Sequence, residues 1–265
     1  MRAVIQFVLA VLVMAACVAG GTREIDTTAV SLPHLSDIKS ILPAPGSVVG
    51  IAHPVVVTFR APVADRRAAE QALHITSTPA MTGKYEWLDT NVVQWKPDHF
   101  WPAHSTVMLS VEREPTAFTT GAAVVGVASI SDHTFTVTID GQPSPDMPAP
   151  HHLPHAGEPG VLLASMGRPE YETPVGTYSV LSKDRDVVMD SSSVGIPVDD
   201  PDGYLLHVDY AVKITRRGLY VHSAPWAVNA MGFENTSHGC ISLNPAEAEW
   251  YFNTVHVGDP VIVQQ

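Results

Sequence analysis

The chain has 265 residues, room for one or two domains, and its 45% apolar and 16% charged residues suit a globular protein with a proper core. A formal charge of −12 at pH 7 argues against a nucleic-acid partner, which would need a basic face. No internal repeat is found.

The N-terminus reads as an export signal. Arg2 supplies a minimal positive start, Ala3 to Met14 is apolar except for Gln6, and the small pair Ala15-Ala16 precedes Cys17. The apolar run is short for a membrane span, which needs about 20 residues. Met14-Ala15-Ala16-Cys17 resembles a bacterial lipobox, although Met14 stands where Leu is more usual. That resemblance implies a lipidated Cys17 as the first mature residue, holding the protein at the outer face of the plasma membrane. Ordinary signal cleavage nearby or an uncleaved anchor are the other readings. If Cys17 is lost or lipidated, Cys240 is the only thiol in an exported domain. An oxidising compartment normally pairs its cysteines, so a lone thiol there calls for a chemical explanation.

The spacing predicts a signal segment over 1–21, a polar tether with scattered proline over 22–40, a first domain over 41–121 and a second over 122–265. The expected fold class is mainly β. In the first domain Val55 to Phe59, Ala72 to Ile75, Val92 to Trp95 and Thr106 to Val111 are the strand candidates. Such short strands between turns suggest a small β-sandwich. The series resembles the bacterial immunoglobulin-like domains. Trp87, Trp95 and Trp101 are expected in core and turn packing rather than as a carbohydrate platform.

In the second domain Val124 to Ile130 and Thr134 to Ile139 predict a hairpin with Asp132-His133 near its turn. Gln142 to Gly160 is rich in proline and carries His151, His152 and His155, but no Asp, Glu or Cys completes a recognisable ligand spacing, so no metal is expected. Val161 to Ser165 and Gly176 to Leu181 predict further strands. One helix is predicted, with Asn244 as N-cap, Pro245 in the first turn and Glu247 placed for a capping box, running to about Asn253 with Trp250 inward. Gly258-Asp259 then turns the chain into a last strand, Val261 to Val263.

The chemistry is expected between Tyr220 and Asn244. Cys240 stands in Ser237-His238-Gly239-Cys240, downstream of His222-Ser223 on a predicted strand. A free thiol, with a pKa of about 8.5, is a weak nucleophile at neutral pH until a base takes its proton. A nearby imidazole does this, and Gly239 suits a tight loop whose backbone N–H groups converge where an oxyanion would develop. A single Cys is most often a small buried hydrophobe and a single strand His a packed residue, so the combination carries the argument.

That combination resembles the signature of the L,D-transpeptidase catalytic domains of bacterial cell walls, in which a histidine, a spacer and Ser/Thr-His-Gly-Cys mark base and nucleophile. The resemblance extends through Met166-Gly167-Arg168-Pro169, Thr173 to Tyr178, Met189 to Ser193 and Gly203-Tyr204, roughly the last half of the chain. It implies Cys240 as nucleophile and His222 as base, with the Ser223 carbonyl fixing the tautomer and His238, Gly239 and Cys240 supplying the oxyanion donors. His238 is the competing base. Tyr204, Arg217, Gly218 and Trp226 are implied to line the substrate channel, with Met189 and Ser237 beside them, and Met189 to Gly203 corresponds to the family's lid. Ser242 stands where the family usually has Asn or Arg, and Val194 replaces an aromatic lid residue of many actinobacterial members. Both departures are expected to weaken donor binding.

The reaction so implied joins peptidoglycan stems. A tetrapeptide stem donates its third-residue carbonyl to Cys240 and loses D-Ala, and a side-chain amine of a second stem takes the acyl group in a 3→3 cross-link. No cofactor is needed, and carbapenem β-lactams are expected to acylate the same thiol. Water as acceptor would make the protein an L,D-carboxypeptidase. A papain-like cysteine peptidase usually places Cys before His, the reverse of the order here. An idle wall-binding protein is the remaining class, and thiol reactivity separates it from the enzyme.

Overall fold

The computed structural model describes residues 37–150 and 152–265; the expected signal segment, Cys17, nearly all of the expected tether and His151 lie outside the described residues. The first domain is a sandwich of two four-stranded sheets. Its elements are β1 (Ile38–Leu42), β2 (Val48–Val49), β3 (Val55–Phe59), α1 (Arg66–Leu73), β4 (Thr76–Thr78), β5 (Gly83–Trp87), β6 (Val92–Pro97), β7 (Thr106–Val111) and β8 (Glu114–Thr120). One sheet runs β1-β3-β6-β5 and the other β2-β8-β7-β4. Along β3 and β7 alternate side chains are buried, the period-two pattern of strands with one face on a core. Val57, Val93, Trp95, Trp101, Val107 and Phe118 fill that core. Trp95 and Trp101 lie 6.0 Å apart, and half-buried Trp87 stacks on Phe59 and donates to Glu70 at 2.7 Å. All three tryptophans pack, as expected.

Two expectations are corrected here. Ala72 to Leu73 ends a helix instead of opening a strand. Asp65 caps α1 by accepting from the Ala68 N–H at 2.9 Å, Ala69 and Leu73 are buried one turn apart, and His74 closes the helix at φ 38°. The tether also ends earlier than 40, because β1 begins at Ile38 and pairs with β3 from Ile38–Phe59 to Leu42–Val56.

The second domain is built on one nine-stranded sheet in the order β12-β17-β9-β10-β11-β16-β15-β14-β13. These are β9 (Val124–Ser129), β10 (Thr134–Ile139), β11 (Val161–Ser165), β12 (Gly176–Ser179), β13 (Ser182–Asp190), β14 (Leu205–Lys213), β15 (Tyr220–Ser223), β16 (Ile241–Leu243) and β17 (Pro260–Gln264), with α2 (Pro245–Thr254) after β16. The strands pair antiparallel except β15–β16 and β17–β9. Asn244 caps α2 by accepting from Ala246 and Glu247 N–H groups. The inward aromatic of α2 is Tyr251, fully buried and edge-on to Phe135 at 4.9 Å; Trp250 is only half-buried, a correction of one position on the helix face.

The two domains meet through backbone. Gly50 N–H donates to the Val257 carbonyl at 2.9 Å and Ala52 N–H to Gly258 at 2.7 Å, while the Ser179 hydroxyl donates to the Ala52 carbonyl at 2.8 Å. Gly50 is needed for this approach, since a Cβ there would fall 2.0 Å from the Asp259 nitrogen. In the proline-rich loop His152 stacks on Phe233 at 5.0 Å and His155 pairs with Glu158 at 2.9 Å. Among the described residues no group of three or more His, Cys, Asp or Glu side chains gathers to hold a metal ion.

Candidate active site

Strands β15 and β16 run parallel, placing His222 opposite Ser242 and leaving Cys240 one residue before β16. The loop that delivers Cys240 is fixed from both sides. Ser237 N–H donates to Met166 and Arg168 N–H to Ser237, at 2.9 and 3.0 Å. The Ser237 hydroxyl donates to the Cys240 carbonyl at 2.7 Å and accepts from Gly239 N–H at 3.0 Å. Buried Thr173 accepts from Gly167 N–H at 2.9 Å and donates to the Gly239 carbonyl at 2.7 Å. Gly239 adopts φ 114°, a conformation a residue with a Cβ rarely takes. These bonds explain why the distant Met166 to Arg168 and Thr173 segments accompany the cysteine motif in the sequence.

His222 is 4% exposed, and its Nδ1 lies 2.8 Å from the Ser223 carbonyl. A carbonyl only accepts, so Nδ1 carries the proton and Nε2 of the neutral ring keeps its lone pair. Burial lowers the His222 pKa, against a smaller opposing pull from the Ser223 carbonyl, so the ring is neutral at pH 7. Burial also pushes the Cys240 thiol up to about 11, despite a hydrogen bond from the Tyr220 backbone that favours the thiolate. Only about one thiol in 10⁴ is then ionised at pH 7. The Sγ–H points at the Gly218 carbonyl, 3.7 Å away. The resting site holds a neutral thiol and a neutral imidazole in one cavity.

A cavity of about 440 Å³ opens on this pair. Eight of the expected residues line it: Met189, Tyr204, His222, Trp226, Ser237, His238, Cys240 and Ser242. Ser242 is only 2% exposed, whereas Trp226, on a 3-10 turn at Pro225–Ala227, is 55% exposed with its ring 6.2 Å from His222. Among the residues expected to bind substrate, three are not among the lining. Val194 sits on the lid's 3-10 turn, Ser191–Val194, at 50% exposure; Arg217 is exposed in the turn before β15; and Gly218 contacts the thiol instead of the channel. Leu206, Val208, Ala227, Asn229, Ala230 and Thr236 complete the wall, and sequence reasoning missed them. Leu206 and Val208 sit on one face of β14, a period-two signal available in the sequence.

His238 is held differently from His222. Its ring lies between Tyr171 and Tyr204, at 4.8 and 4.9 Å, and its Nε2 is enclosed without a hydrogen-bond partner among the described residues. Burial and the Arg168 charge lower its pKa. The segment expected to form the lid is tied down beside this ring. Asp202 accepts from Arg168 Nη2 at 2.5 Å and from the Tyr171 hydroxyl at 3.2 Å, and Tyr204 N–H donates to the Ser191 hydroxyl at 3.0 Å.

The sequence profile of the L,D-transpeptidase catalytic domain matches residues 124–263, and that of a bacterial Ig domain matches 19–115. The chain belongs to the L,D-transpeptidase family. It is 64% identical, over the full length of both chains, to "Probable L,D-transpeptidase 3" of Mycobacterium tuberculosis. A solved structure of that species' L,D-transpeptidase 3 with a faropenem-derived adduct is 68% identical, with a TM-score of 0.82 over 86% of this chain and 98% of the other. An L,D-transpeptidase in complex with imipenem is 48% identical, with a TM-score of 0.77 over the same shares of the two chains. The mainly β fold, the Ig-like domain before the catalytic one and the activity class are those of the family.

Proposed function

We propose that the chain forms 3→3 cross-links in peptidoglycan through a thioester on Cys240. The observation that carries this is the His222 tautomer: with Nδ1–H tied to the Ser223 carbonyl, Nε2 is left as a base in the cavity that also holds the only described cysteine. In the first half-reaction the thiol proton passes to His222 Nε2 while Sγ bonds to the third-residue carbonyl of a tetrapeptide stem. The C–N bond to D-Ala then breaks, and the leaving amine takes the proton from His222. In the second, a side-chain amine of another stem attacks the thioester and gives its proton to His222, which returns it to the departing sulfur. Because Gly239 N–H is already engaged by Ser237, the oxyanion falls to the N–H groups of His238 and Cys240. Among the donor-binding residues we include Met189, Tyr204, Trp226, Ser237 and Ser242.

Carbapenem acylation of Cys240 follows from the same nucleophile, and the β-lactam complexes of the relatives support it. We also propose that Cys17 carries lipid and holds the protein on the outer face of the plasma membrane, on the strength of Ala15-Ala16 before it. Cys17→Ser is expected to release the protein from the membrane fraction; unchanged fractionation with an unmodified Cys17 would refute the anchor.

The reaction is tested by intact-mass measurement after incubation with a tetrapeptide stem and an amine acceptor. The expected result is an acyl-enzyme on Cys240 and a cross-linked product one D-Ala lighter than its two parts. Free D-Ala without cross-linked product would assign a carboxypeptidase instead.

A further inference from the structure

The antiparallel ladder between β13 and β14 has a gap with no slip in register. Ser182, Lys183 and Asp184 pair with Lys213, Val212 and Ala211, and pairing resumes from Asp186–Asp209 out to Asp190–Leu205. The missing rung is Arg185–Tyr210. Tyr210 takes φ 53°, inside a strand, where a bulky side chain is strained; the other non-glycine residues of positive φ among the described ones lie in turns or at a helix end.

The rung separates two unlike halves. The inner half is rooted, because Val212 and Lys213 also pair with Val221 and Tyr220 of β15. The outer half pairs only within its own hairpin and brings Met189, Leu206 and Val208 to the cavity wall, with Tyr204 just beyond. At the break the Tyr210 side chain is clamped to α2. Its ring is edge-on to Phe252 at 5.8 Å, the Arg185 guanidinium lies 5.1 Å over it, the Glu249 carboxylate close to its hydroxyl raises its pKa, and Arg185 reaches the Glu249 carboxylate at 3.8 Å. Helix α2 begins five residues after Cys240, with Asn244 alone between it and the end of β16. The outer hairpin is thus referenced, through one strained residue, to the helix that follows the nucleophile's strand.

We propose that Tyr210 is a positioning residue, a strained hinge that sets the angle of the outer β13–β14 hairpin over the cavity and so the fit of the acyl donor. It touches no substrate and acts through Met189, Leu206 and Val208. A strained φ persists where the surroundings over-determine it, and here the clamp on α2 does so. This inference rests on the cavity being the donor site.

The test is steady-state kinetics with a tetrapeptide donor, together with amide hydrogen exchange. Tyr210→Gly relieves the strain and removes the clamp, and should raise donor KM about tenfold with kcat changed less than about threefold. Exchange should quicken over residues 186–209 and stay unchanged over 211–213. Should that variant not fold, Glu249→Gln loosens the clamp with the backbone untouched and should raise KM about threefold. Tyr210→Phe, which keeps ring and φ but loses the hydroxyl facing Glu249, should raise KM no more than Glu249→Gln does, about threefold at most. Donor KM within twofold of the parent in Tyr210→Gly, or in Glu249→Gln where Tyr210→Gly does not fold, would overturn the hinge, as would a fall in kcat alone with unchanged exchange. If the parent protein fails to turn over the tetrapeptide at all, the donor-site reading fails instead.

Discussion

The nucleophile loop and the lid hairpin form opposite walls of one cavity and are held by opposite means. From Ser237 to Cys240 the loop is fixed by backbone and hydroxyl bonds to Met166, Arg168 and Thr173, with Met166, Thr173 and Gly239 buried and the rest half-buried. The outer hairpin leaves Val188, Val194, Val198 and Leu205 exposed and is held by side chains at its ends, Asp202 on Arg168 and Tyr210 on Glu249. Hydrogen bonds out of contact with water hold geometry to fractions of an ångström, whereas exposed ion pairs contribute little and exchange readily. The difference suits the two tasks. Attack requires a fixed sulfur and oxyanion site, whereas two different stems must enter and leave past the opposite wall.

The strongest way to break this contrast is at the nucleophile. Cys240→Ala is expected to abolish acyl-enzyme formation in the mass assay with the fold unchanged, and residual turnover well above background would refute the assignment. His222→Ala should cost about 10²–10⁴ in acylation rate, the usual worth of a general base, and His238→Ala less. A reversed order would move the base role to His238. Thr173→Val comes next. It leaves the Gly167 N–H and the Gly239 carbonyl unpaired in a site 2% exposed, so stability should fall by about 2–6 kcal/mol on thermal or urea unfolding, at about 1–3 kcal/mol per orphaned group. Acylation should fall about tenfold or more as Gly239 loosens, against the rigid-wall argument if it does not.

The pH profile probes the same wall. Attack requires neutral His222, whose pKa is lowered, so the acid limb of kcat/KM should lie below the ordinary histidine value of about 6.5. The thiol, pushed up to about 11, is still protonated well above neutrality, and iodoacetamide should alkylate Cys240 slowly at pH 7 and faster as pH rises toward 11. An acid limb above 6.5 would contradict the lowered His222 pKa, and fast alkylation at pH 7 would mean a thiolate–imidazolium pair already at rest. Slow alkylation alone does not separate an idle protein from the enzyme here, since the resting thiol is neutral in both; acylation by the donor does.

Much of this was legible in the sequence. Strands β7 and β10, whose sequences alternate, and the apolar run of β11 fall where the pattern of apolar residues puts them, and the Asn244-Pro245-Glu247 start of α2 is a local signal read correctly. Helix α1 was read partly as strand because Ala72-Leu73-His74-Ile75 looks extended in isolation, while Asp65 and the run of Ala, Glu, Gln and Leu after it carry the helical signal. The Cys240 and His222 pair is a local motif with a strong spacing. The state of that pair is not local: burial by the whole sheet lifts the thiol and lowers the imidazole, which no spacing reveals. The side-chain anchors of the lid, Asp202 to Arg168 and Tyr210 to Glu249, bring together residues 34 and 39 apart in number, and composition gives no sign of either.

On the softer wall smaller effects are expected. Asp202→Ala frees the lid tip from Arg168 and Tyr171, and a half-exposed pair of this kind contributes about 1 kcal/mol at most, so donor KM should rise about two- to fivefold. The difference between variant and parent should shrink in high salt, where the pair is screened. An effect on kcat as large as that of His222→Ala would show that the lid is part of the chemistry.

The two departures from the family pattern give the finest test, because family comparison and structure disagree about them. By pattern alone, Val194→Tyr and Ser242→Asn should each restore a donor contact and speed acylation. Ser242 is 2% exposed and faces His222 across β15–β16, so the larger amide must press on the ring or occupy donor space. Overpacking of that kind costs about 1–3 kcal/mol, and acylation should slow several-fold. Val194 is half-exposed on the lid turn and outside the cavity lining, so Val194→Tyr should change stability by less than about 0.5 kcal/mol and acylation by less than about twofold. Both are measured by the rate at which a carbapenem and a tetrapeptide add mass to the protein. A clear acceleration by Val194→Tyr would mean that the lid tip swings in by more than a side-chain length when donor binds. The hinge at Tyr210 is where such a swing would start, so Val194→Tyr combined with Tyr210→Gly should then lose the gain, whereas an unresponsive Val194 places the tip outside the donor site throughout the cycle.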